Sequence, residues 1–405
     1  MIPQLELDIW VVLKIVSVIQ CLFFSTLIIT TKSENPKAQK FLVLSLLIFA
    51  LLETDDLFFH SKYIFQIPHW IGSVDPLAYC LGPLIYFYTS SLTDNRFSFK
   101  KHHLYYFLPV VVLYLFWIPF YLKSSANKID YLLKIFNRQA GTLPVNYLHY
   151  LFSTNVILAI FSALLFLALS VYKLYKFNIR IRHLFSDIDS INLKWLKFVL
   201  ILSFCVWLSS FLNFFIDSKI LDVSDLIVFP IFIFLISYYD IRQKRIPLII
   251  EKMAEKDHDE SRDAVLPYII DKEESVKYAK SELNEQLVEE LSSKLMLLVN
   301  NEKVYIKNDL NLQELADLMD TSTHNLSQLL NQKMNQSFYE FINFHRVQEV
   351  MRRLDSGKFD NLKILAIAFD SGFNSKTTFN VAFKKYSGFS PTEYRKACDS
   401  PGTLS

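Results

Sequence analysis

Cysteine is scarce in this sequence, and its four cysteines form no recognisable set of metal ligands. Cys21, Cys80 and Cys205 lie in apolar runs and Cys398 lies near the C-terminus, so their spacing gives neither a zinc site nor a disulfide framework. A glycine-rich phosphate loop, a nucleophile motif and a paired acid and base are also missing. We therefore expect no metal, no cofactor and no enzymatic activity.

Apolar residues are too abundant for an ordinary soluble protein. They make up 52% of the 405 residues, and the mean hydropathy is +0.25. The first apolar run, from Ile9 to about Thr31, is longer than the core of a signal peptide and has neither a cationic leader nor a small-residue cleavage site. We expect this run to stay in the mature protein and part of the chain to lie in a lipid bilayer.

Seven segments approach the length of about 20 apolar residues that a membrane-spanning helix needs. The same criterion is also compatible with six or eight spans. The seven segments cover roughly residues 9–31, 41–61, 70–92, 104–122, 147–172, 196–216 and 224–240.

Lysine and arginine are distributed unequally between the alternate connections of these segments. With the N-terminus outside, the cytoplasmic connections carry 14 of these cations and the outer ones carry 6. The odd number of spans then places the chain from residue 241 onward in the cytoplasm. The sequence therefore predicts a multi-pass protein of the bacterial inner membrane, whose membrane domain covers residues 1–245.

Four carboxylates lie within the predicted spans. Glu53, Asp55 and Asp56 belong to the second span, and Asp75 lies in the third. Ionisable groups are costly at membrane depth, so these four are candidate signal-sensing residues that could line a ligand pocket. Asp55 and Asp56 have a plainer interpretation as well, in which they lie in water near the outer end of their helix.

The region after the spans is first acidic and then basic. Residues 246–320 contain 18 acidic and 9 basic residues, whereas residues 321–405 contain 7 acidic and 11 basic, so the basic end is the candidate to bind an anionic partner. We predict a charged linker over 246–274. Leucines at spacings of three and four predict an amphipathic helix over 275–300, which packs either on the following domain or on its copy in a homodimer.

Residues 312–333 show the pattern of a helix-turn-helix unit. Two short apolar faces are separated by a turn, and Ser322 can cap the second helix through its hydroxyl. The opposite side of that helix carries polar groups suited to base edges and phosphates in a major groove, although a solvated helix face would look similar. The candidate DNA-binding residues of this unit are Ser322, His324, Asn325, Ser327 and Gln328.

A related pattern recurs at residues 362–386, after a predicted spacer helix at 337–355. Gly372 supplies the turn and Ser375 is the expected cap of the second helix. One spacer that holds two recognition helices apart lets both enter successive major grooves, about 34 Å apart. The candidate DNA-binding residues of this unit are Lys376, Thr377, Asn380, Lys384 and Lys385.

The predicted fold is therefore all-α, with about seven transmembrane helices followed by a helical domain, residues 301–400, that contains both units. The motifs of this domain are Leu315-Ala316, Leu326-Ser327, Leu330-Asn331, Phe341-Ile342-Asn343, Arg346-Val347, Ala366-Ile367-Ala368-Phe369, Gly372-Phe373, Ser375, Phe379, Phe383-Lys384-Lys385, Gly388, Ser390-Pro391 and Tyr394-Arg395. They resemble the AraC/XylS family of bacterial transcription regulators. This resemblance implies double-stranded promoter DNA and RNA polymerase as partners. Val381 departs from the family pattern, in which a long polar or basic residue is frequent at that position.

The whole chain resembles the polytopic membrane-anchored members of that family found in Bacteroidetes-type bacteria, including the patterns Pro68-His69 and Gly82 to Tyr88. The resemblance implies a sensor for a small-molecule or protein signal but does not name that signal. Three interpretations stay open. The chain is a one-component switch, a tethered regulator released by proteolysis near residues 251–263, or a transporter-like sensor with a regulatory DNA-binding tail.

Overall fold

A computed structural model of the chain describes residues 5–31, 35–94, 97–136, 147–189, 193–215, 219–242, 285–359 and 361–399. Regular structure in these residues is helical apart from one isolated β-bridge between Phe185 and Asn311, which agrees with the predicted all-α fold. The chain divides into two compact units. Unit 1 comprises residues 1–174 and 193–248, and unit 2 comprises residues 175–192 and 249–405.

Unit 1 contains the long apolar helices. Asp8 caps the first of them by accepting a hydrogen bond from the Val11 backbone N–H at 2.9 Å, and Pro36 opens the second, where its missing N–H costs nothing. The described helices are α1 (Ile9–Thr30), α2 (Pro36–His60), α3 (Ala78–Thr93), α4 (Leu108–Tyr121), α5 (Ser125–Phe136), the first part of α6 (Tyr147–Leu184), α7 (Lys194–Phe215) and α8 (Lys219–Arg242).

Three helices in the described part of the chain have the length and composition of a membrane span. They cover Ile9–Thr30, Lys101–Tyr121 and Ile157–Leu184. The prediction of seven spans is therefore wrong for the described residues, even though helices occupy all seven predicted segments. Helix α2 carries three carboxylates near its C-terminal end, and α3 has only 16 residues, fewer than the roughly 20 that cross a bilayer.

Unit 2 contains residues 175–192. Its described part then resumes with α9 (Glu285–Leu297). The linker predicted over 246–274, and the start of the helix predicted from residue 275, lie outside the described residues. The remaining helices are α10 (Leu312–Leu318), α11 (Thr323–Gln328), α12 (Phe338–Asp355), α13 (Ile364–Asp370), α14 (Lys376–Ser387) and α15 (Pro391–Asp399). They fall at the positions where the sequence shows the two helix-turn-helix units and the spacer.

Helix α12 is the spacer, and it contributes to two hydrophobic cores. Phe338, Phe341 and Ile342 in its first half pack with α9, α10 and α11. Val347 and Val350 in its second half pack with α13, α14 and the side chain of Tyr394. A helix whose two halves are buried in different cores holds both units at a fixed separation.

A capping box fixes the start of α12. The hydroxyl of Ser337 accepts a hydrogen bond from the Glu340 backbone N–H, and the Glu340 carboxylate accepts one from the Ser337 backbone N–H at 3.1 Å. Two backbone donors that a helix N-terminus leaves unpaired are satisfied in this way. The sequence Ser-Phe-Tyr-Glu therefore determines where the spacer begins.

Candidate nucleic-acid interface

The first helix-turn-helix unit consists of α10, a tight turn and α11. The turn passes through Asp320, whose φ of 48° lies in the left-handed region. Ser322 caps α11, as the sequence predicts, by accepting a hydrogen bond from the Asn325 backbone N–H at 3.2 Å. Helix α11 has only six α-helical residues, and a π-helical turn follows at Leu329–Lys333.

Two of the five candidate residues of this unit do not lie on an open surface. Ser322, His324 and Asn325 are half-buried, but Ser327 and Gln328 are only 4% and 3% exposed. The hydroxyl of Ser327 accepts a hydrogen bond from Asn331, and the amide of Gln328 donates one to Gln332. The sequence-based placement of Ser327 and Gln328 on an exposed side is therefore wrong. Residues 326–330 are buried without interruption, so this short helix is enclosed on every side there.

The second unit turns at Gly372, between α13 and α14. Its φ is +97°, and a Cβ at this position would lie 2.5 Å from the Tyr305 carbonyl oxygen and 2.9 Å from Nε of Arg346. Only a residue without a side chain tolerates this backbone and this close approach. The sequence predicts Gly372 only as a turn residue. The structure shows that Gly372 also lets the second unit pack closely against Arg346 of the spacer.

Gly372→Ala is expected to destabilise unit 2 by at least about 2 kcal/mol, because it adds a collision with backbone oxygen to the strain of a positive φ. Gly388→Ala is the matched control, since Gly388 has a φ of +81° with nothing within 4 Å of its added Cβ. We expect about 1 kcal/mol for that control. Pulse proteolysis of the full-length chain in urea measures both. Equal losses of stability in the two variants would show that the Cβ added at position 372 meets no collision.

Helix α14 presents one continuous exposed face. Ser375 caps it by accepting a hydrogen bond from the Thr378 backbone N–H at 3.3 Å, and Gly388, with its positive φ, ends it. Phe379, Ala382 and Phe383 are buried on the other side, whereas Thr378, in the first turn, is 8% exposed and its hydroxyl donates a hydrogen bond to Asp189. The exposed residues are Lys376, Thr377, Asn380, Val381, Lys384 and Lys385.

Lys385 is the exposed cation of this helix that forms an ion pair within the part of the chain that the structure describes. Its ammonium lies 2.8 Å from the Glu340 carboxylate, which raises the pKa of Lys385. Burial opposes ionisation of Glu340, but the bonds from Lys385 and Ser337 outweigh it and lower the pKa of this carboxyl. Lys385 therefore fastens α14 to the start of the spacer, and Lys376 and Lys384 are better placed to reach phosphates.

Two helix-turn-helix units joined by one spacer helix form an arrangement that suits binding in successive major grooves of DNA. Residues 315–397 match the family of helix-turn-helix domains. The match begins within α10, extends over the spacer and the second unit, and supports an AraC-family DNA-binding domain. It also supports the prediction that the chain is a transcription regulator that binds double-stranded DNA. Comparisons with the curated proteins and with the solved structures gave no match.

Arg346, a buried arginine in the spacer of this helix-turn-helix domain, is not among the candidates that the sequence indicates. Arg346 is 1% exposed, and its guanidinium donates hydrogen bonds to the carbonyl oxygens of Tyr305 and Lys307, both at 2.8 Å. A further bond reaches the hydroxyl of Ser186 at 3.1 Å. Burial lowers the pKa of Arg346 to about 10. The feature of the sequence that could have revealed Arg346 is its position on the apolar side of α12, one turn after Ile342 and one turn before Val350.

The carboxylate of Glu349, on the same helix as Arg346, contacts three cationic side chains. Glu349 is 3% exposed and lies within 3.1 Å of nitrogen atoms of Lys303, Arg352 and Arg353. The hydrogen bonds from Arg352, Arg353 and Lys303, with that from Arg352 contributing most, lower the pKa of Glu349 to about 2. Lys303 precedes the first unit and the two arginines end the spacer, so Glu349 fixes the loop before α10 to the C-terminal part of α12.

The four candidate sensing residues lie close together in unit 1. Nζ of Lys14, in α1, is 3.2 Å from Glu53 and 2.6 Å from Asp56 in α2. Asp55 is within electrostatic reach of Asp56 and Asp75. Lys14 was not among the sequence-based candidates because it lies alone in an apolar run. The structure thus pairs two carboxylates of α2 with a lysine of α1, a helix that has the length and composition of a membrane span.

A second polar cluster in unit 1 involves Asp240 of α8. This residue is 6% exposed and accepts hydrogen bonds from the Tyr88 hydroxyl at 2.9 Å and the Gln39 amide at 3.3 Å. The three residues come from α8, α3 and α2. The sequence does not indicate this cluster, because its members are more than 40 residues apart along the chain and none is unusual in its local context.

Proposed function

We propose that this protein is a membrane-embedded, sequence-specific transcription regulator of the polytopic, membrane-anchored AraC type, which couples a signal at the membrane to promoter binding. The observation that carries the proposal is the presence, in one chain, of an AraC-type DNA-binding domain and of helices apolar enough to cross a membrane. Because both parts share one polypeptide, a signal can pass from one to the other without a second protein.

The exposed surface of unit 1 supports a lipid environment. Helix α1 exposes Ile9, Val12, Ile19 and Ile29, which are between 50% and 67% accessible. Helix α4 likewise exposes Val111, Leu115 and Phe116. Rows of large apolar side chains of this extent are a liability in water and are expected where a helix faces lipid. We therefore place unit 1 in the bacterial inner membrane and the DNA-binding domain in the cytoplasm.

On the DNA, α14 acts as the second recognition helix. Asn380 can pair with an adenine edge in the major groove, while Lys376 and Lys384 contact phosphates. Ser322, His324 and Asn325 serve the first unit. RNA polymerase is the proposed partner at the promoter, a homodimer is the proposed form on DNA, and no catalytic step or cofactor is part of the mechanism.

The proposed sensor is the group of charges on α1, α2 and the segment after α2. A signal that separates Lys14 from Glu53 and Asp56 leaves charges unpaired at membrane depth, which is costly, so the helices shift to a new arrangement. The ligand is a small molecule or a protein outside the cytoplasm.

Genome-wide crosslinking of the full-length protein to DNA, with membrane and soluble fractions assayed in parallel, tests the proposal. We expect discrete promoter peaks from intact protein in the membrane fraction. Peaks that come only from a soluble fragment would instead show a tethered regulator released by proteolysis. The absence of peaks under every growth condition would contradict a role in transcription.

A further inference from the structure

A short segment of unit 2 lies far from the DNA-binding domain in sequence but is docked on it. Residues 185–189 follow α6 directly, more than 100 residues before the first helix-turn-helix unit. Phe185 forms a β-bridge with Asn311, the residue that caps α10. The backbone N–H and the hydroxyl of Ser186 both donate to the Leu310 carbonyl, the latter at 2.6 Å.

The spacer helix holds the same segment from a second side. Arg346 donates to the Ser186 hydroxyl, and the amide of Asn343 donates to the Ser186 carbonyl at 3.2 Å. Ser186 itself is fully buried. Every polar group of this serine thus has a partner in the DNA-binding domain, so the contact is a specific docking site.

Beyond Ser186 the segment places two carboxylates at the beginning of α14. The side chain of Asn374, just before the helix, donates to Asp187 Oδ2 at 2.9 Å. The hydroxyl of Thr378, in its first turn, donates to Asp189. Asp187 also accepts a hydrogen bond from the Asp189 backbone N–H at 3.0 Å, which keeps the two acidic side chains together.

These carboxylates occupy positions that suit a DNA phosphate. The N-terminus of a helix carries a partial positive charge and attracts anions, and a recognition helix enters the major groove with its N-terminal residues foremost. Asparagine and threonine side chains at that end are common donors to phosphate oxygens. Two acidic side chains held there take up the donors and also repel an approaching DNA backbone.

We propose that residues 185–189 are a built-in competitor of DNA, which occupies the beginning of the second recognition helix and must leave before that helix can bind. The surface formed by Asn374, Thr378 and the start of α14 thus has two alternative occupants, an acidic segment of the same chain and a phosphate of the DNA backbone. The inference rests on the proposed function, because it assumes that α14 contacts DNA.

The connection of the segment to a candidate membrane span supplies the means of release. Leu184 ends the span Ile157–Leu184 and is followed directly by Phe185. A signal that shifts or rotates this helix therefore acts on the docked segment through the covalent chain. Ser186 is the anchor in this mechanism, whereas Asp187 and Asp189 are the groups that exclude DNA.

The double variant Asp187→Asn/Asp189→Asn tests the proposal in the full-length protein in detergent micelles. The probe is a random-sequence DNA duplex of about 40 base pairs, long enough to cover two major grooves. The matched control, Glu302→Gln/Asp370→Asn, removes the same two negative charges at exposed positions of unit 2. We expect the test variant to bind about tenfold more tightly than wild type, because charge-assisted hydrogen bonds hold the docked state, and the control to stay within about twofold.

Equal, measurable affinities of wild type, test variant and control would overturn the inference and leave the proposed function intact. If none of the three binds the duplex, the inference is wrong, because removing the two charges does not free α14 for DNA, and the proposed function is judged separately by the promoter peaks. Amide hydrogen exchange gives a measurement without substitution. Adding the duplex to wild-type protein is expected to increase exchange in residues 185–189, and unchanged protection with DNA bound would also overturn the inference.

Discussion

Replacing Lys376 and Asn380 together by alanine is expected to weaken binding to a promoter fragment recovered by crosslinking about a hundredfold. Both side chains are exposed on the same face of α14, one turn apart. Under the proposed function, Asn380 reads an adenine by two hydrogen bonds and Lys376 neutralises a phosphate near the start of the helix. Fluorescence anisotropy of the labelled fragment at several salt concentrations measures the loss.

The salt dependence separates the two contributions. Removal of one phosphate contact should reduce the slope of log affinity against log salt by about 0.9, whereas loss of base readout leaves the slope unchanged. Lys358→Ala is the matched control, since Lys358 is an exposed lysine in the loop after the spacer and its replacement removes the same charge. If the control lost as much affinity as the double variant, α14 would not be a recognition helix.

Arg346→Met is expected to destabilise unit 2 by about 3 kcal/mol or more, because it leaves buried backbone carbonyls without donors. Methionine retains much of the volume and removes the charge, so the loss reports on hydrogen bonds more than on packing. The carbonyl oxygens of Tyr305 and Lys307 and the hydroxyl of Ser186 all lose their partner. Pulse proteolysis of the full-length protein in urea gives the free energy of unfolding.

Arg352→Met is the control for this substitution. Arg352 lies on the same helix and contacts Glu349 at 2.7 Å, but its side chain is 60% exposed. Glu349 is buried but keeps Lys303 and Arg353 as partners when Arg352 is replaced, so we expect a smaller loss, on the order of 1 kcal/mol. Similar losses from the two variants would mean that the hydrogen bonds of Arg346 to the loop before α10 do not hold the domain together.

The two helix-turn-helix units could be predicted because their signals are local. Ser322 and Ser375 are caps that act within their own first turn, and the glycine at position 372 marks a turn that no other residue fits. The apolar spacing of the spacer predicted its helix in the same way. The family match over residues 315–397 covers these same segments.

Other sequence-based predictions failed because they depend on what surrounds a helix. Ser327 and Gln328 lie on a polar side of α11 by periodicity, but neighbouring chain encloses that helix and buries both. The count of seven spans failed for a different reason. Hydrophobicity predicted helices in the right places, but the three carboxylates of α2 and the 16-residue length of α3 set these two apart from the three candidate spans of the described residues.

The sequence by itself determined that the chain is helical, that its first part is strongly apolar and that its last part contains two helix-turn-helix units joined by a spacer helix. Hydrophobic periodicity, caps and turns establish these features, because each acts within one or two turns of chain. Only the tertiary structure decided that Lys14 pairs with Glu53 and Asp56, that Arg346 is buried and that Asp187 and Asp189 lie against α14. Such contacts join residues that are distant in sequence, and no local pattern specifies which partner a polar group will meet once the cores have packed.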